Sequence, residues 1–385
     1  MIPYGRQEIS DADIEAVVAV LKSDYLTQGP RVPEFEQAVA GYCGAGYGVA
    51  VNSGTSALHV ACLALGVGKG DLVWTSPITF VASANCARYC GADVDFVDID
   101  SGTYNISVPA LRKKLEQAAQ SGRLPKVLIP VHFSGQSCDM VPIRELADQY
   151  GFSLIEDACH AVGGRYRDEK IGSCRYSDIT VFSFHPVKII TTAEGGMALT
   201  NDAGLARKMD LYRTHGISRN PEEMTRVADG PWYYQQLELG YNYRMTELQA
   251  ALGISQLTRL DEVVEKRHLL ARRYDELLKD LPLTLPLQEE TNYSAYHLYV
   301  IRLRLSEIAR SRRQVFEALR EAGIGVNLHY IPVYSQPFYS DSAVSYEDFT
   351  EAEAYYSEAI TIPLYHHMRF SDQDLVVERL TSILA

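Results

Sequence analysis

Residues 1 to about 245 alternate short apolar runs with segments whose apolar residues recur at helical spacing. The runs rich in Val, Ile and Phe, which indicate buried strands, are YGVAVNS, DLVWTS, DVDFVDID, KVLIPVHF, FSLIEDA, DITVFSF and GGMALTND. Helix-length segments such as TSALHVACLALG and ITFVASANCARYCG separate them. This order is typical of a mainly parallel sheet covered by helices on both faces. We therefore assign residues 1–245 to one large α/β domain.

From Thr246 the pattern becomes helical almost without interruption. Leu257, Leu260 and Val264 keep helical spacing, and no proline follows until Pro282. At 1.5 Å per residue such a helix extends about 50 Å. We predict a single long helix here that joins two domains.

Residues 246–385 hold this helix and a small C-terminal α/β domain. The segments AYHLYVIRLR and IGVNLHYIPVY are predicted strands. The predicted helices are SRRQVFEALREAG, which ends at Gly323, FTEAEAYYSEA, and FSDQDLVVERLTSILA, for which Ser371 is a suitable N-cap.

Composition and charge restrict the class of partner. The apolar fraction of 46% and the charged fraction of 22% are those of a soluble globular protein, and the formal net charge is −13. An acidic surface repels nucleic acid and anionic lipid. The N-terminus has no apolar signal-peptide region and no run of 18 apolar residues occurs, so we expect no membrane span and a cytoplasmic location. The seven cysteines contain no C-x-x-C pair and are expected to be reduced thiols.

The segment NSGTSAL, residues 52–58, lies where a predicted strand gives way to a helix. Gly54 allows a tight turn, and the Thr55 and Ser56 hydroxyls together with the free N–H groups of the helix could bind a phosphate. Ordinary helix capping uses the same residue types. By itself the motif slightly favours capping.

The segment EDACH places two carboxylates at the carboxyl end of the predicted strand FSLI. Open α/β sheets bind ligands at this end. A buried Asp157 there needs a positive or hydrogen-donating partner, such as a protonated pyridine nitrogen. A helix cap or a surface turn is about equally consistent. Asp157 and His160 alone are too few ligands for a metal, and we predict no metal site.

Lys188 is the one lysine in the nearly chargeless stretch SFHPVKIITTAEGG. Desolvation lowers the pKa of an ammonium from its usual ~10.4, and a neutral amine can attack a carbonyl. Ser183 could add a hydroxyl to a phosphate site. A lone lysine more often only packs its stem, but a phosphate cradle, an acid and a lysine in this order are what pyridoxal phosphate requires.

Five segments together resemble the DegT/DnrJ/EryC1/StrS family of sugar-nucleotide aminotransferases, and the resemblance extends over essentially the whole chain. They are NSGTSAL, PITFVASAN, EDACHAVGG, FSFHPVKIITTAEGG and GYNYRMTELQAALGISQL. The resemblance implies an aspartate-aminotransferase-like fold (fold type I), a pyridoxal 5′-phosphate cofactor and a homodimer. PVHFSGQSCDM and FHPVKIITTAEGG resemble the pseudaminic-acid branch, which aminates carbon 4 of a UDP-linked 4-keto-6-deoxy-N-acetylhexosamine.

Carried over by position, the resemblance implies a role for each matching residue. Lys188 bonds to the cofactor's aldehyde carbon, and Asp157 is the partner of its ring nitrogen. Phosphate contacts come from Gly54, Thr55, Ser56 and Ser183, while Phe80 stacks on the ring and His160 lies near its hydroxyl side. Asn242 reaches the phosphate of the neighbouring subunit. Substrate contacts are expected from Thr27, Gln28, Arg219, Arg244 and His329, the last of which could instead be a buried strand histidine.

The expected reaction is amino transfer from glutamate, with Lys188 as the group that moves the proton. Family members with histidine at this position act as dehydrases, so the lysine favours amino transfer. Two alternatives stay open: an aminotransferase for a different nucleotide-linked keto sugar, and a non-catalytic cofactor-bound sensor or scaffold. A nicotinamide oxidoreductase is disfavoured, because the chain lacks the glycine fingerprint after a strand.

Overall fold

The computed structural model describes residues 1–339 and 346–385. The helices of these residues are α1 (Asp11–Leu21), α2 (Arg31–Cys43), α3 (Gly54–Ala64), α4 (Ala82–Tyr89), α5 (Val108–Ser121), α6 (Met140–Tyr150), α7 (Ala203–Arg213), α8 (Glu247–Leu257), α9 (Leu260–Leu278), α10 (Arg312–Glu321), α11 (Thr350–Glu358) and α12 (Phe370–Leu384). None of them is long and apolar enough to cross a membrane.

The strands of the same residues include every strand predicted before residue 245. They are β1 (Tyr47–Val51), β2 (Leu72–Thr75), β3 (Asp93–Phe96), β4 (Val127–Ile129), β5 (Ser153–Asp157), β6 (Arg165–Tyr166), β7 (Glu169–Lys170), β8 (Ile179–Ser183), β9 (Gly196–Thr200), β10 (Ile217–Ser218), β11 (Gln235–Gln236), β12 (Leu283–Thr284), β13 (Asn292–Tyr293), β14 (Tyr299–Leu303) and β15 (Ala359–Ile362).

A seven-stranded sheet in the order β1-β9-β8-β5-β4-β2-β3 forms the centre of the large unit. The strands from β8 to β3 are parallel, whereas β9 is antiparallel to both β1 and β8. Because β9 reverses direction between them, β1 and β8 point the same way. The carboxyl ends of β1, β8, β5 and β2 therefore lie along one edge, and the prediction of a mainly parallel sheet is confirmed.

Helices cover both faces of this sheet, and the alternation of side chains assigns each strand residue to a face. Ile155, Ile179 and Val181 belong to the apolar cluster that contains residues of α3, α4 and α7. Leu154 and Phe182 belong to the clusters on the other side, which contain residues of α2, α5, α6 and α9. Successive residues of β5 and β8 thus face opposite layers.

The small C-terminal unit has a core of its own. The antiparallel sheet β12-β14-β15 packs with α9, α10 and α12 around buried side chains such as Tyr274, Tyr299 and Leu319. The first residues of the chain also pair with this unit, because the backbone N–H of Gly325 donates to the Ile2 carbonyl at 2.7 Å. The boundary predicted at residue 245 remains a prediction.

The single long helix predicted from Thr246 is wrong, because a turn at residues 258–259 separates α8 from α9. The Thr258 hydroxyl donates to the Ser255 carbonyl at 2.6 Å, a local bond that competes with helix continuation. Arg259 donates to Asp13 at 2.8 Å, a contact with α1 that fixes the second helix at its start.

Two predictions in the small unit are also wrong. The segment IGVNLHYIPVY is not a strand: Ile324 and Asn327 form isolated bridges, and Pro332 interrupts any continuing ladder. Ser371 is not the N-cap of the last helix. Helix α12 begins one residue earlier, with Arg369 at the N-cap position and its backbone N–H donating to Asp372 at 3.2 Å.

Candidate active site

The carboxyl ends of β1 and β8 meet through the first residue of β9. Gly196 is the register partner of both Val51 and Ser183, so the loop after β1 lies beside the end of β8. A Cβ atom at Gly196 would lie 2.4 Å from the Ser53 carbonyl oxygen. A residue with a side chain therefore cannot replace this glycine without separating the strands.

Helix α3 begins directly after β1. Its N-terminus is capped by Ser53 and also lines a cavity at the sheet edge. Ser53 is the N-cap and accepts a hydrogen bond from the Ser56 backbone N–H at 3.1 Å, while the Ser56 hydroxyl donates to Asn52 at 2.7 Å. A Cβ atom at Gly54 would lie 2.8 Å from the Ser183 Cβ. Capping is confirmed, and the close approach of Gly54 to Ser183 places the start of α3 against the end of β8.

Asp157 ends β5 as a buried carboxylate with few partners. Its Oδ2 accepts from the Ser83 hydroxyl at 2.6 Å, and its Oδ1 accepts from the Cys159 backbone N–H at 3.2 Å. The Ser83 hydroxyl also lies 2.7 Å from the Thr79 hydroxyl. Since a carboxylate has about four acceptor sites, Asp157 can accept a further donor.

Lys188 lies in the connection between β8 and β9, partly buried beside Asp157 and Cys159. Burial lowers the pKa of its ammonium, against the opposing influence of Cys159 and Asp157, which raise it. The backbone N–H of Phe184 donates to the Gly195 carbonyl at 2.9 Å and closes the connection at its base. The amine is thus held in a partly desolvated position near an acid.

Three buried histidines and a tyrosine form the opposite wall. The rings of His160 and His297 lie 4.4 Å apart, and His160 Nε2 is 3.1 Å from the Tyr330 hydroxyl. Burial lowers the pKa of His160 and of His297 well below the usual value, and lowers that of His329 to about 3. All three imidazoles are therefore neutral at physiological pH.

These elements surround one cavity of about 800 Å³. Its lining includes nine of the predicted site residues: Gly54, Thr55, Ser56, Phe80, Asp157, His160, Ser183, Lys188 and His329. Phe80 is 57% exposed, and its ring lies 6.2 Å from that of Tyr330. The start of α3, Asp157 and Lys188, which follow one another along the sequence, thus lie around one cavity. The role of each residue remains a prediction.

The other predicted residues lie outside this cavity. Gln28 and Arg244 line a separate space of about 220 Å³, and Thr27 forms a backbone bridge with Thr246. Asn242 and Arg219 are exposed. Their predicted roles, including the contact of Asn242 with a second subunit, stay predictions.

Sequence reasoning missed several residues that shape the cavity. Ser83 and Thr79 flank Phe80 in the segment PITFVASAN, and their spacing of four residues could have indicated a pair of hydroxyls on one side. His297 and Tyr330 carried no comparable signal, because their position depends on how the small unit packs against the sheet edge.

The site fits a phosphorylated pyridine aldehyde. Gly54, Thr55, Ser56 and Ser183 line the cavity together, where the hydroxyls and the N-terminus of α3 could bind a phosphate. Asp157 has acceptor capacity left for a ring N–H, and Lys188 supplies an amine with a lowered pKa. The donor set in the cavity therefore matches pyridoxal phosphate.

Comparison with known proteins gives consistent results. Residues 7–381 match the model of the DegT/DnrJ/EryC1/StrS aminotransferase family. The chain is 39% identical to the spore coat polysaccharide biosynthesis protein SpsC of Bacillus subtilis, over 100% of this chain and 97% of that protein. It is also 39% identical to a UDP-4-amino-4,6-dideoxy-N-acetyl-beta-L-altrosamine transaminase of Campylobacter jejuni, over 100% of this chain and 98% of that protein.

Solved structures agree over the full length. Helicobacter pylori PseC, an aminotransferase involved in the biosynthesis of pseudoaminic acid, superposes with a TM-score of 0.90 at 30% identity and covers 100% of this chain and 99% of its own. The sugar aminotransferase Spr1654 of Streptococcus pneumoniae, described as putative, superposes in its PMP form with a TM-score of 0.89 at 27% identity, over 100% of this chain and 99% of its own. The same protein also has a PLP form.

Proposed function

Because the chain belongs to the DegT/DnrJ/EryC1/StrS aminotransferase family and is a sugar aminotransferase that uses pyridoxal phosphate, we propose a particular reaction for it. It moves the amino group of glutamate to carbon 4 of a UDP-linked 4-keto-6-deoxy-N-acetylhexosamine. The printed activity of the Campylobacter relative supports this choice of sugar. The same identity to SpsC supports, as a second candidate, a different nucleotide-linked keto sugar.

One observation supports the amino-transfer chemistry above all others. Lys188, Asp157 and the N-terminus of α3 line the same cavity, although they are far apart in the sequence. Bound pyridoxal phosphate supplies an electrophilic aldehyde carbon and a ring that accepts electrons when its nitrogen is protonated. Residues of α3 and Ser183 would hold its phosphate, Asp157 its ring nitrogen and Lys188 its aldehyde carbon.

Lys188 is the proton-transfer group of the proposed mechanism. Its lowered pKa increases the fraction of neutral amine at physiological pH, and a neutral amine can accept the proton from the α-carbon of glutamate. Nζ then holds that proton as an ammonium, which can donate it again. The same two steps run in reverse on the keto sugar.

Asp157 acts through its charge and its orientation. Ser83 and the Cys159 N–H each occupy one of its oxygens, which fixes the plane of the carboxylate. The carboxylate favours the protonated state of a pyridine nitrogen beside it. That protonation makes the ring an effective acceptor of electrons during proton removal.

The neutral histidines suit a sugar ligand. His160 and His297 each have a buried Nδ1 with no hydrogen-bond partner among the described residues. A neutral imidazole can donate or accept a hydrogen bond without adding charge, so the cavity wall formed by His160, His297 and His329 suits the hydroxyl and carbonyl groups of a sugar. Positive charge for the diphosphate would come from arginines such as Arg244, of either subunit of the proposed homodimer.

Two half-reactions test the proposal. Purified protein mixed with glutamate alone should release 2-oxoglutarate and lose the visible absorption of the aldehyde form of the cofactor. Addition of a UDP-linked 4-keto-6-deoxy-N-acetylhexosamine should then restore the absorption and give a 4-amino sugar, identified by NMR. Lys188→Ala should abolish both steps, and Lys208→Ala, which changes an exposed lysine on α7, should leave them intact.

Each other outcome selects a different function. If glutamate leaves the cofactor unchanged while the cofactor stays bound, glutamate is not the amino donor. Only a chain that no amino donor converts would be a sensor or a scaffold. If glutamate reacts but a dTDP-linked or differently configured keto sugar is the better acceptor, the second candidate replaces the first.

A further inference from the structure

A second group of potential ligands lies outside the active-site cavity, where the start of the chain meets its end. Glu8 precedes α1, and His366 and His367 lie between β15 and α12. One ligand atom of each residue lies within 4.8 Å of the other two. The three residues are partly buried, and none of them lines the cavity that contains Lys188.

The ligand types of this group are those that bind transition-metal ions. One carboxylate and two imidazoles lie close together, and each offers one ligand atom.

The imidazoles also have unused acceptor capacity. His366 Nε2 forms a hydrogen bond with Glu8 Oε2, but the Nδ1 atoms of His366 and His367 are buried without a hydrogen-bond partner among the described residues. A buried polar atom left unsatisfied costs about 1–3 kcal/mol. A ligand in this place would therefore satisfy atoms that the protein itself does not.

We propose that Glu8, His366 and His367 bind a divalent transition-metal ion such as Zn²⁺. Two imidazoles and one carboxylate are a frequent ligand set for such ions, with water completing the coordination. The sequence-based prediction of no metal site considered only Asp157 and His160. Glu8 and His366 lie 358 positions apart, and ligands so far apart in the sequence form no recognisable motif.

The surrounding charges determine which cations can bind. Arg259 lies 3.9 Å from Glu8, although its closer partner is Asp13 at 2.8 Å, and Arg6 and Arg267 also act on His367. These guanidinium groups oppose any cation by Coulomb repulsion. Mg²⁺ and Ca²⁺ prefer oxygen ligands and are therefore excluded, whereas an ion with strong bonds to imidazole nitrogen is retained.

Binding would join two segments that are remote in sequence. Glu8 is already attached to α8, because Gln256 Nε2 donates to its carbonyl at 2.9 Å, and the two histidines belong to the small unit. A ligand that binds only the folded state stabilises it. Zn²⁺ should therefore raise the temperature of unfolding at concentrations above its dissociation constant.

Calorimetric titration of the chelator-treated holoenzyme with Zn²⁺ tests this proposal. We expect saturable binding of one ion per chain, no binding of Mg²⁺, and a higher unfolding temperature with Zn²⁺. In His367→Ala and Glu8→Gln the affinity should fall at least about tenfold. Glu15→Gln, which changes an exposed carboxylate on α1, should bind Zn²⁺ as the unchanged protein does.

Two results would overturn the proposal: no saturable binding of Zn²⁺, or equal binding in His367→Ala and the unchanged protein. Circular dichroism and the visible absorption of the bound cofactor establish that each variant is folded. Titration with Co²⁺ provides a second readout, since its visible absorption reports nitrogen coordination in the unchanged protein and should be lost in His367→Ala. None of these measurements depends on turnover, so they stay informative even if the proposed sugar is wrong.

Discussion

Glu156 and Asp157 are neighbours at the end of β5, yet they lie in two different environments. Asp157 follows the alternation of Ile155 and faces the layer of α3, where the cavity opens. Glu156 follows that of Leu154 and faces the opposite layer. Both carboxylates are buried, so burial does not distinguish them.

The partners of the two carboxylates differ. Glu156 Oε2 lies 2.6 Å from His132 Nε2, and its Oε1 accepts from the Ser177 hydroxyl and from the Thr180 hydroxyl at 3.1 Å. His132 Nδ1 in turn accepts the Cys138 backbone N–H at 3.1 Å, which leaves its Nε2–H to donate to Glu156. Glu156 has three hydrogen-bond partners within the protein, whereas Asp157 has two, Ser83 and the Cys159 N–H, and lines the cavity. The position at the cavity and the smaller number of partners, rather than burial, distinguish Asp157 from Glu156.

The largest expected effect is that of Asp157→Asn on turnover. The amide cannot favour a protonated pyridine nitrogen, so we expect turnover to fall about 10³-fold, equal to about 4 kcal/mol of activation free energy. The free energy of unfolding should change little. Steady-state kinetics and urea denaturation measure the two quantities, with Asp168→Asn, an exposed aspartate, as the control. Normal turnover in the variant would remove Asp157 from the mechanism.

Glu156→Gln should give the opposite result, with a loss of stability and little loss of turnover. The amide replaces the charge-assisted bonds to His132, Ser177 and Thr180, and we expect the free energy of unfolding to fall by about 2 kcal/mol. Urea denaturation at fixed protein and cofactor concentration measures this loss. Glu145→Gln, on the exposed side of α6, is the matched control. If Glu156→Gln instead lost turnover and kept its stability, Glu156 and Asp157 would have equivalent roles, and the proposed difference between them would be wrong.

Acid should weaken the protein partly through Glu156. Burial raises the pKa of Glu156, but its hydrogen bonds and His132 lower it below its usual value in the folded state. This contribution to stability is present above the unfolded pKa of about 4.3 and is lost as pH falls through the lower folded pKa, at up to about 1.4 kcal/mol per pH unit. Between about pH 6 and about pH 3, the free energy of unfolding should therefore fall more steeply with decreasing pH in the unchanged protein than in Glu156→Gln. Equal slopes would show that another group titrates.

The smallest expected effect is that of Ser83→Ala. This change removes the 2.6 Å hydrogen bond to Asp157, and we expect turnover to fall about fivefold, in keeping with about 1 kcal/mol for one hydrogen bond. Ser83→Thr retains the hydroxyl and should restore part of the activity. If Ser83→Ala has no effect on turnover, the Cys159 N–H alone is sufficient to orient the carboxylate.

The sequence predicts the sheet edge well because its signals are local. Each of β1, β5 and β8 is a short apolar run, and the residue that follows or ends it, such as Asp157 or Ser183, is placed at the edge by the strand itself. The family resemblance then identifies Lys188 among the other lysines. Each of these features can be predicted from one short segment, without knowledge of the rest of the fold.

The opposite wall of the cavity could not be predicted in the same way. His297 and Tyr330 enter it through the packing of the small unit, and the run IGVNLHYIPVY has the β-branched pattern of a strand although it forms only isolated bridges. The neutral state of His329 also depends on burial by residues remote in sequence. Glu8 and His366 give the same lesson, because only the folded chain brings them together.

The antiparallel course of β9 determines how firmly the reactive amine is held. Ser183 ends β8 and Gly196 begins β9, so residues 184–195 form a closed connection between two paired strands, with both ends fastened to the sheet. A circularly permuted chain opened within this connection would retain every strand pair but leave Lys188 on a free end. Opening the chain instead at the exposed turn near Gly122, between α5 and β4, would leave the connection intact. The backbone course thus distinguishes a turn where new termini leave the site intact from a connection where they would release Lys188.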